Sequence, residues 1–277
     1  MTPQYFPADS EFIKRDTRTG RWAIPYHPEC LNARVKTLLT DNRDRLEGRR
    51  VLDLGSHIGT LSYAALQTGA SFVLGLDTEP GKVDTARTLF DHYAVPQDLY
   101  RFEVAEGLDY LENAEPKSFD TLFCFGLLYY MPEPYRLLRA MVRAARECIL
   151  LDTFTAPYAA VQGKDAASIL PRVTDATWEV PLLLTTLTQA EKKDYTLPDA
   201  FHYRDRAVCL AAYPSVPLLE LWFASLALKP RRLDWSPYQT RPCHWRDLIT
   251  PEQKQAAHWA DVYTAGLRVA YRLDLPA

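Results

Sequence analysis

The stretch Arg50-Val51-Leu52-Asp53-Leu54-Gly55-Ser56-His57-Ile58-Gly59-Thr60-Leu61 decides how the chain is read. It opens as a short apolar run, breaks at a glycine-bearing turn and resumes with a helical pattern. Such a turn lets backbone approach a ligand closely and aims helix N–H groups at it. A second apolar run, Phe72-Val73-Leu74-Gly75-Leu76, ends in Asp77. An acid at the end of a second strand is where a nucleoside-binding α/β domain grips a ribose. The pair predicts a cofactor site near the start of the chain.

Outward from this stretch, strands and helices alternate. Apolar runs predict strands over 51–54, 72–76, 100–104, 120–125 and 148–151. Apolar residues at helical spacing predict helices over 60–67, 82–93, 107–112 and 134–146. Near-continuous apolar strands alternating with helices argue a doubly wound α/β fold, a mostly parallel sheet covered on both faces. Upstream, residues 1–30 are rich in proline and aromatics (Tyr5, Phe6, Phe12, Trp22, Tyr26) and read as an irregular arm. A helix follows over 28–47, with Leu31, Val35, Leu38 and Leu39 on one stripe.

From Phe154 to about Tyr213 the alternation stops. That segment carries Trp178, Tyr195, Phe201, His202, Tyr203 and Arg204. It is too long for a plain connection in a compact domain and reads as a lid or sub-domain. A helix over 215–228, a strand over 232–238, a helix over 251–263 and a strand over 266–275 complete the chain. The organisation expected is an arm and helix (1–48), a cofactor-binding core (49–153), an inserted lid (154–214) and a C-terminal completion of the core sheet (215–277).

The 277 residues suffice for one large domain or one domain with an insertion, and a hydrophobic fraction of 47% is ample for a core. A net charge of -3 provides no global basic field for nucleic acid or an anionic membrane. A local basic patch stays open, drawn from Arg204, Arg206, Lys229, Arg231 and Arg232. The five cysteines are scattered, with no CxxC pair, which suits free thiols in a reducing compartment. Neither a signal pattern nor an apolar run of about 18 residues is present. The expectation is a cytoplasmic protein with no membrane span.

The pattern resembles the class I S-adenosylmethionine (SAM)-dependent methyltransferases. The family's glycine motif matches Val51-Leu52-Asp53-Leu54-Gly55-Ser56-His57-Ile58-Gly59, and its acid after the second strand matches Asp77. Its fourth-strand motif is similar to Phe119-Asp120-Thr121-Leu122-Phe123-Cys124-Phe125-Gly126-Leu127-Leu128-Tyr129-Tyr130. Within the family, that motif and the long insertion look most like the tRNA uridine-34 carboxymethyltransferases and related methyltransferases. His57 departs from the usual middle glycine, and Tyr130 from the histidine that often follows the tyrosine.

The resemblance implies a Rossmann-like sheet of seven strands with S-adenosyl-L-methionine as cofactor. It places Asp53, Gly55, Ser56, His57, Gly59, Asp77, Thr78, Glu106, Gly107 and Gly126 around that cofactor. Gly55 and Gly59 would let the chain pass beneath the ligand, and Asp77 would accept both ribose hydroxyls. Asp53 would orient the turn or meet the methionine ammonium through water. Glu106 would face the adenine amino group, Leu108 would cover the adenine, and the Gly126 carbonyl would meet the ammonium.

The candidates for work on the acceptor are Tyr129, Tyr130, His57 and His202. Each has a plainer alternative: packing for either tyrosine, a turn residue for His57, and a solvated loop for His202 with Tyr203 and Arg204. His27 reads as structural, and His244 beside Cys243 lacks companions at metal spacing, so no metal is expected. The tryptophans read first as packing residues. An apolar, aromatic lid and a mildly acidic chain favour a small-molecule acceptor over nucleic acid. The rivals are a tRNA-modifying transferase and a non-catalytic SAM-binding partner protein. Oligomeric state has no signal in the sequence.

Overall fold

The computed structural model describes residues 5–16, 27–162, 170–191, 196–197 and 199–276. Trp22, Tyr26 and Tyr195 lie outside the described residues. The arm contributes a short helix, α1 (Glu11–Arg15). Its Phe6 and Phe12 are buried, packed edge-to-face with centroids 5.3 Å apart. They anchor what the sequence presents as irregular. A helical track then runs as α2 (Pro28–Arg34), a π segment (Val35–Leu39) and a 3₁₀ segment (Thr40–Arg45). It breaks at buried Asn42, whose side-chain amide donates to the carbonyls of Thr37 and Leu38.

The core then proceeds through β1 (Arg50–Leu54), α3 (Thr60–Thr68), β2 (Phe72–Asp77), α4 (Pro80–His92) and β3 (Tyr100–Val104). It continues with α5 (Gly107–Asn113), β4 (Phe119–Phe125), α6 (Pro134–Ala144) and β5 (Ala145–Phe154). The insertion holds α7 (Ala156–Gln162) and strands β6 (Leu183–Gln189), β7 (Phe201–Tyr203) and β8 (Arg206–Pro214). After the helix Val216–Ser225 come β9 (Lys229–Arg232) and β10 (Arg268–Asp274).

Seven strands form one sheet in the order β3-β2-β1-β4-β5-β10-β9. β1 to β5 are parallel, β10 runs antiparallel between β5 and β9, and β9 therefore points the same way as β1 to β5. One face is covered by the arm and helices α2 to α4, the other by α5, α6 and the helix Val216–Ser225. The fold expected from the sequence is the fold observed.

Two C-terminal elements differ from expectation. The penultimate strand is Lys229–Arg232, not 232–238; residues Ser236–Tyr238 form a 3₁₀ turn. All four residues of β9 are exposed, and a polar edge strand carries no apolar signal to read. The helix expected over 251–263 is two pieces, Pro251–Ala256 and Asp261–Thr264. Between them the Asp261 carboxylate accepts from the His258 amide, which turns the chain before the second piece.

The insertion folds as a separate three-stranded antiparallel sheet, β6-β8-β7. β7 and β8 are joined by a tight hairpin with Arg204 and Asp205 both at positive φ (48° and 59°), the conformation of a type I′ turn. No helix among the described residues is long and apolar enough to cross a membrane.

Candidate functional site: the carboxyl edge of the sheet

The chain runs β1, β2, β3 outward on one side and β4, β5 on the other, so strand order reverses between β1 and β4. A crevice at the carboxyl ends of strands flanking such a reversal is where α/β sheets bind ligands. The loops leaving β1 and β4 meet there. A Cβ on Gly55 would lie 3.7 Å from the Leu127 side chain.

The turn after β1 is left-handed at three alternate residues, Gly55 (φ 69°), His57 (φ 52°) and Gly59 (φ 76°). His57 therefore takes the middle glycine's conformation with a side chain attached, and it is buried. Gly59 has a second reason to lack a side chain, because a Cβ there would sit 2.8 Å from the Phe102 ring. Phe102 also forbids a side chain at Gly75, where a Cβ would approach to 2.5 Å.

Asp77 closes the turn from below. Its Oδ2 accepts from the His57 amide (2.8 Å) and its Oδ1 from the Glu79 amide (3.0 Å). Burial raises its pKa, while these two amide bonds pull it back down. Asp53 lies deeper, buried, with Oδ2 accepting from the Ser62 hydroxyl at 2.6 Å. Desolvation pushes its carboxyl up to about 7, against the pull of the Ser62 bond and with the help of the Asp77 charge. Thr78 is exposed beside Asp77. Glu106 caps α5 through Oε2, which accepts from the Asp109 amide at 2.7 Å, and Gly107 is buried behind it.

Past β4, Gly126 adopts φ 80° and its amide donates to the Asp152 carbonyl at 2.7 Å. Tyr129 follows in a short 3₁₀ turn, 6% exposed, in contact with Tyr130, Phe154 and Tyr213. Burial holds its hydroxyl well above the ordinary tyrosine range, so it stays protonated. Tyr130 packs against Ala190, Leu197 and Cys209 of the insertion. The structure thus places His57, Tyr129 and Tyr130 at the same edge of the sheet as Asp53, Asp77 and Gly126. His202 is exposed on the short strand β7. His27 and His244 are exposed and cap helical turns.

Four groups were not legible in the sequence. Asp152, wholly buried at the end of β5, receives Arg268 bidentately (2.7 and 2.8 Å), Arg34 (2.8 Å) and the Tyr263 hydroxyl (3.2 Å). The two guanidiniums hold its carboxyl below the usual range despite burial. The one available signal was a lone acid directly after the apolar run Cys148–Leu151 and a lone base directly before Val269-Ala270. The insertion also reaches the second-strand loop, where the Thr196 amide donates to Glu79 Oε1 at 2.6 Å.

Residues 51–147 match the family model described as a methyltransferase domain. A ubiquinone biosynthesis O-methyltransferase from Neisseria meningitidis is 34% identical over 100 residues, 36% of this chain and 41% of that protein. A tRNA U34 carboxymethyltransferase from Sulfurovum is 24% identical over 225 residues, 80% of this chain and 65% of that protein. The chain thus spans less than two-thirds of the length of either relative. The magnesium protoporphyrin IX methyltransferase of Synechocystis, solved with SAH bound, shares the fold at a TM-score of 0.51 and 14% identity, covering 96% of this chain and 92% of that one. On the sheet order, the glycine turn and this match, residues 51–147 carry a methyltransferase domain with the seven-stranded fold of the class I S-adenosylmethionine-dependent methyltransferases.

Proposed function

We propose that the chain binds S-adenosyl-L-methionine at the β1–β4 crevice and transfers its methyl group to a small-molecule acceptor held under the insertion. The residues present suit the cofactor. Ser56 Oγ and Thr60 Oγ1 are buried in the turn and meet no hydrogen-bond partner among the described residues. Each carboxylate oxygen of Asp77 accepts one amide and keeps a lone pair for a ribose hydroxyl. Gly55 and Gly126 present backbone where a side chain would fill the crevice.

When bound, the cofactor supplies a methyl group already activated by its sulfonium. The protein's part is then to align the acceptor and keep water out. Asp77 orients the ribose, Glu106 faces the adenine with its remaining oxygen, and the Gly126 carbonyl meets the ammonium. Tyr129 is a neutral donor, suited to positioning an acceptor oxygen or nitrogen and unsuited to removing a proton. The turn role explains His57 through its left-handed backbone.

The observation that carries the small-molecule reading is the cover over Tyr129. Tyr213 from the insertion stacks on its ring, and Phe154 closes the side. A roofed, aromatic site suits a compact acceptor better than an open groove does. A second reading, transfer to tRNA, is favoured by the relative whose match runs through the insertion, and by the exposed strand β9 with Arg204 and Arg206 on the β7–β8 hairpin. Titration calorimetry with SAM tests the common part, and no binding at millimolar SAM overturns it. Salt dependence of tRNA binding separates the two acceptors, since phosphate contacts weaken steeply with salt.

A further inference from the structure

A cleft of about 370 Å³ opens beside the proposed methyl-transfer site, lined among others by Arg232, Trp235, Ser236, Gln239, Tyr263 and Arg268. Its size falls in the range of small-molecule sites. It lies at the same edge of the sheet, because β10 begins where β5 ends and Arg268 pairs with Phe154. Arg268 is the shared wall. Its Nη2 lies 3.3 Å from where a Cβ on Gly126 would be, and its guanidinium stacks 4.5 Å from the Phe154 ring centroid.

The polar lining of this cleft is rich in donors. Arg268 is 5% exposed and spends Nε and Nη2 on Asp152, while Nη1 donates to no protein atom among the described residues. Asp152 divides its charge between Arg268 and Arg34, so Arg268 is only partly neutralised. Trp235 is 5% exposed and stacked on Tyr263 at 3.7 Å, and its Nε1–H meets no acceptor among the described residues. Arg232 adds a second guanidinium at the rim. The single acid, Asp234, already accepts from the Ser236 amide and hydroxyl.

We infer that this cleft anchors the methyl acceptor and that it takes a small molecule bearing a carboxylate, held by Arg268 and the Trp235 N–H. Buried donors such as Arg268 and the Trp235 N–H cost free energy until an acceptor of hydrogen bonds meets them, and a guanidinium pairs best with a planar oxyanion. The inference rests on the methyltransferase reading above, and the site described there supplies the methyl.

The test is calorimetric titration of the full chain, saturated with S-adenosylhomocysteine, using benzoate and then benzamide, which keeps the shape without the charge. Benzoate is expected to bind with a Kd of about 1 mM or tighter, at least tenfold more tightly than benzamide. Arg268→Lys should weaken benzoate about tenfold, and Trp235→Phe, which keeps a ring and removes the N–H, about threefold, with S-adenosylhomocysteine affinity within about twofold in both. If Arg268→Lys does not fold, Trp235→Phe and Arg232→Gln give the same reading. Equal affinity for acid and amide, or no benzoate heat at about 20 mM, overturns the inference. So does competition between benzoate and S-adenosylhomocysteine, which would give the guanidinium to the cofactor's own carboxylate. Displacement of benzoate by tRNA overturns it in favour of a phosphate. Absence of S-adenosylhomocysteine binding sinks the methyltransferase reading itself, whereas its binding without benzoate sinks this inference alone.

Discussion

Tyr213 of the insertion lies face to face with Tyr129 of the fourth-strand motif, ring centroids 5.6 Å apart and planes 11° from parallel. The insertion is therefore seated on the core at one of the residues proposed to meet the acceptor. Tyr213→Ala removes one face of the Tyr129 ring and opens the roof. It is expected to lower kcat/KM for the acceptor at least tenfold while SAM affinity changes less than about threefold, read by steady-state kinetics and calorimetry.

Asp77 ties the turn to the second strand through the His57 amide, and in the proposed site its carboxylate meets the ribose. Asp77→Ala should weaken SAM binding at least tenfold, because it loses two charge-assisted contacts and loosens the turn. Unchanged affinity would place the ribose elsewhere.

His57 stands where a glycine is usual, at φ 52°. If the side chain serves the turn, His57→Gly relieves a left-handed residue worth about 1 kcal/mol. Stability should hold or rise slightly in urea unfolding, and turnover should stay within about threefold. A hundredfold loss of turnover at unchanged SAM affinity would instead put the imidazole at the acceptor.

Asp53 is expected to make binding of the proposed cofactor pH-dependent. Its carboxyl is raised to about 7, so it is neutral below that value and ionised above it. A cationic sulfonium and ammonium favour the ionised form, so SAM affinity should rise with pH through about 7. Binding near pH 7 should release protons, seen as a buffer-dependent heat. The linkage for folding has the opposite sense. A folded-state pKa above the unfolded value contributes stability at low pH that is lost as pH rises from about 4 to about 7. Asp53→Asn should flatten the affinity profile and raise the ligand-free Tm at pH 8 by about 2–6 °C.

Asp152 is the converse case, a carboxyl held low by Arg268 and Arg34. Its stabilisation is present above the unfolded value and lost as pH falls through the folded one. Asp152→Ala leaves two buried guanidiniums without their anion and should cost about 3–5 kcal/mol in urea unfolding.

What could be read from the sequence was local. The strand-turn-helix from Arg50 to Thr68, the acid at Asp77 and the parallel core all announce themselves by runs of apolar residues and by glycines at fixed spacing. β9 did not, because an edge strand of Lys, Pro and two Arg buries nothing. β6 mixes leucine and threonine without a face that names its partner; its place was settled by pairing with β8. The Asp152 cluster joins Arg34 and Arg268 from opposite ends of the chain, and no spacing rule links residues that far apart. The need for a glycine at Gly75 comes from Phe102, a neighbour in space that occupies the room a side chain would take.

The family's domain ends at residue 147, short of Asp152. That carboxylate holds one guanidinium from before the domain and another from after it, and its carbonyl holds the Gly126 turn within it. The matched stretch is thus tied to both of its flanks through one residue that lies outside it. Excised at its sequence borders, it would lose the Asp152 carbonyl that accepts from the Gly126 amide of its own fourth-strand loop. The flanks belong to the catalytic unit as much as the glycine turn does.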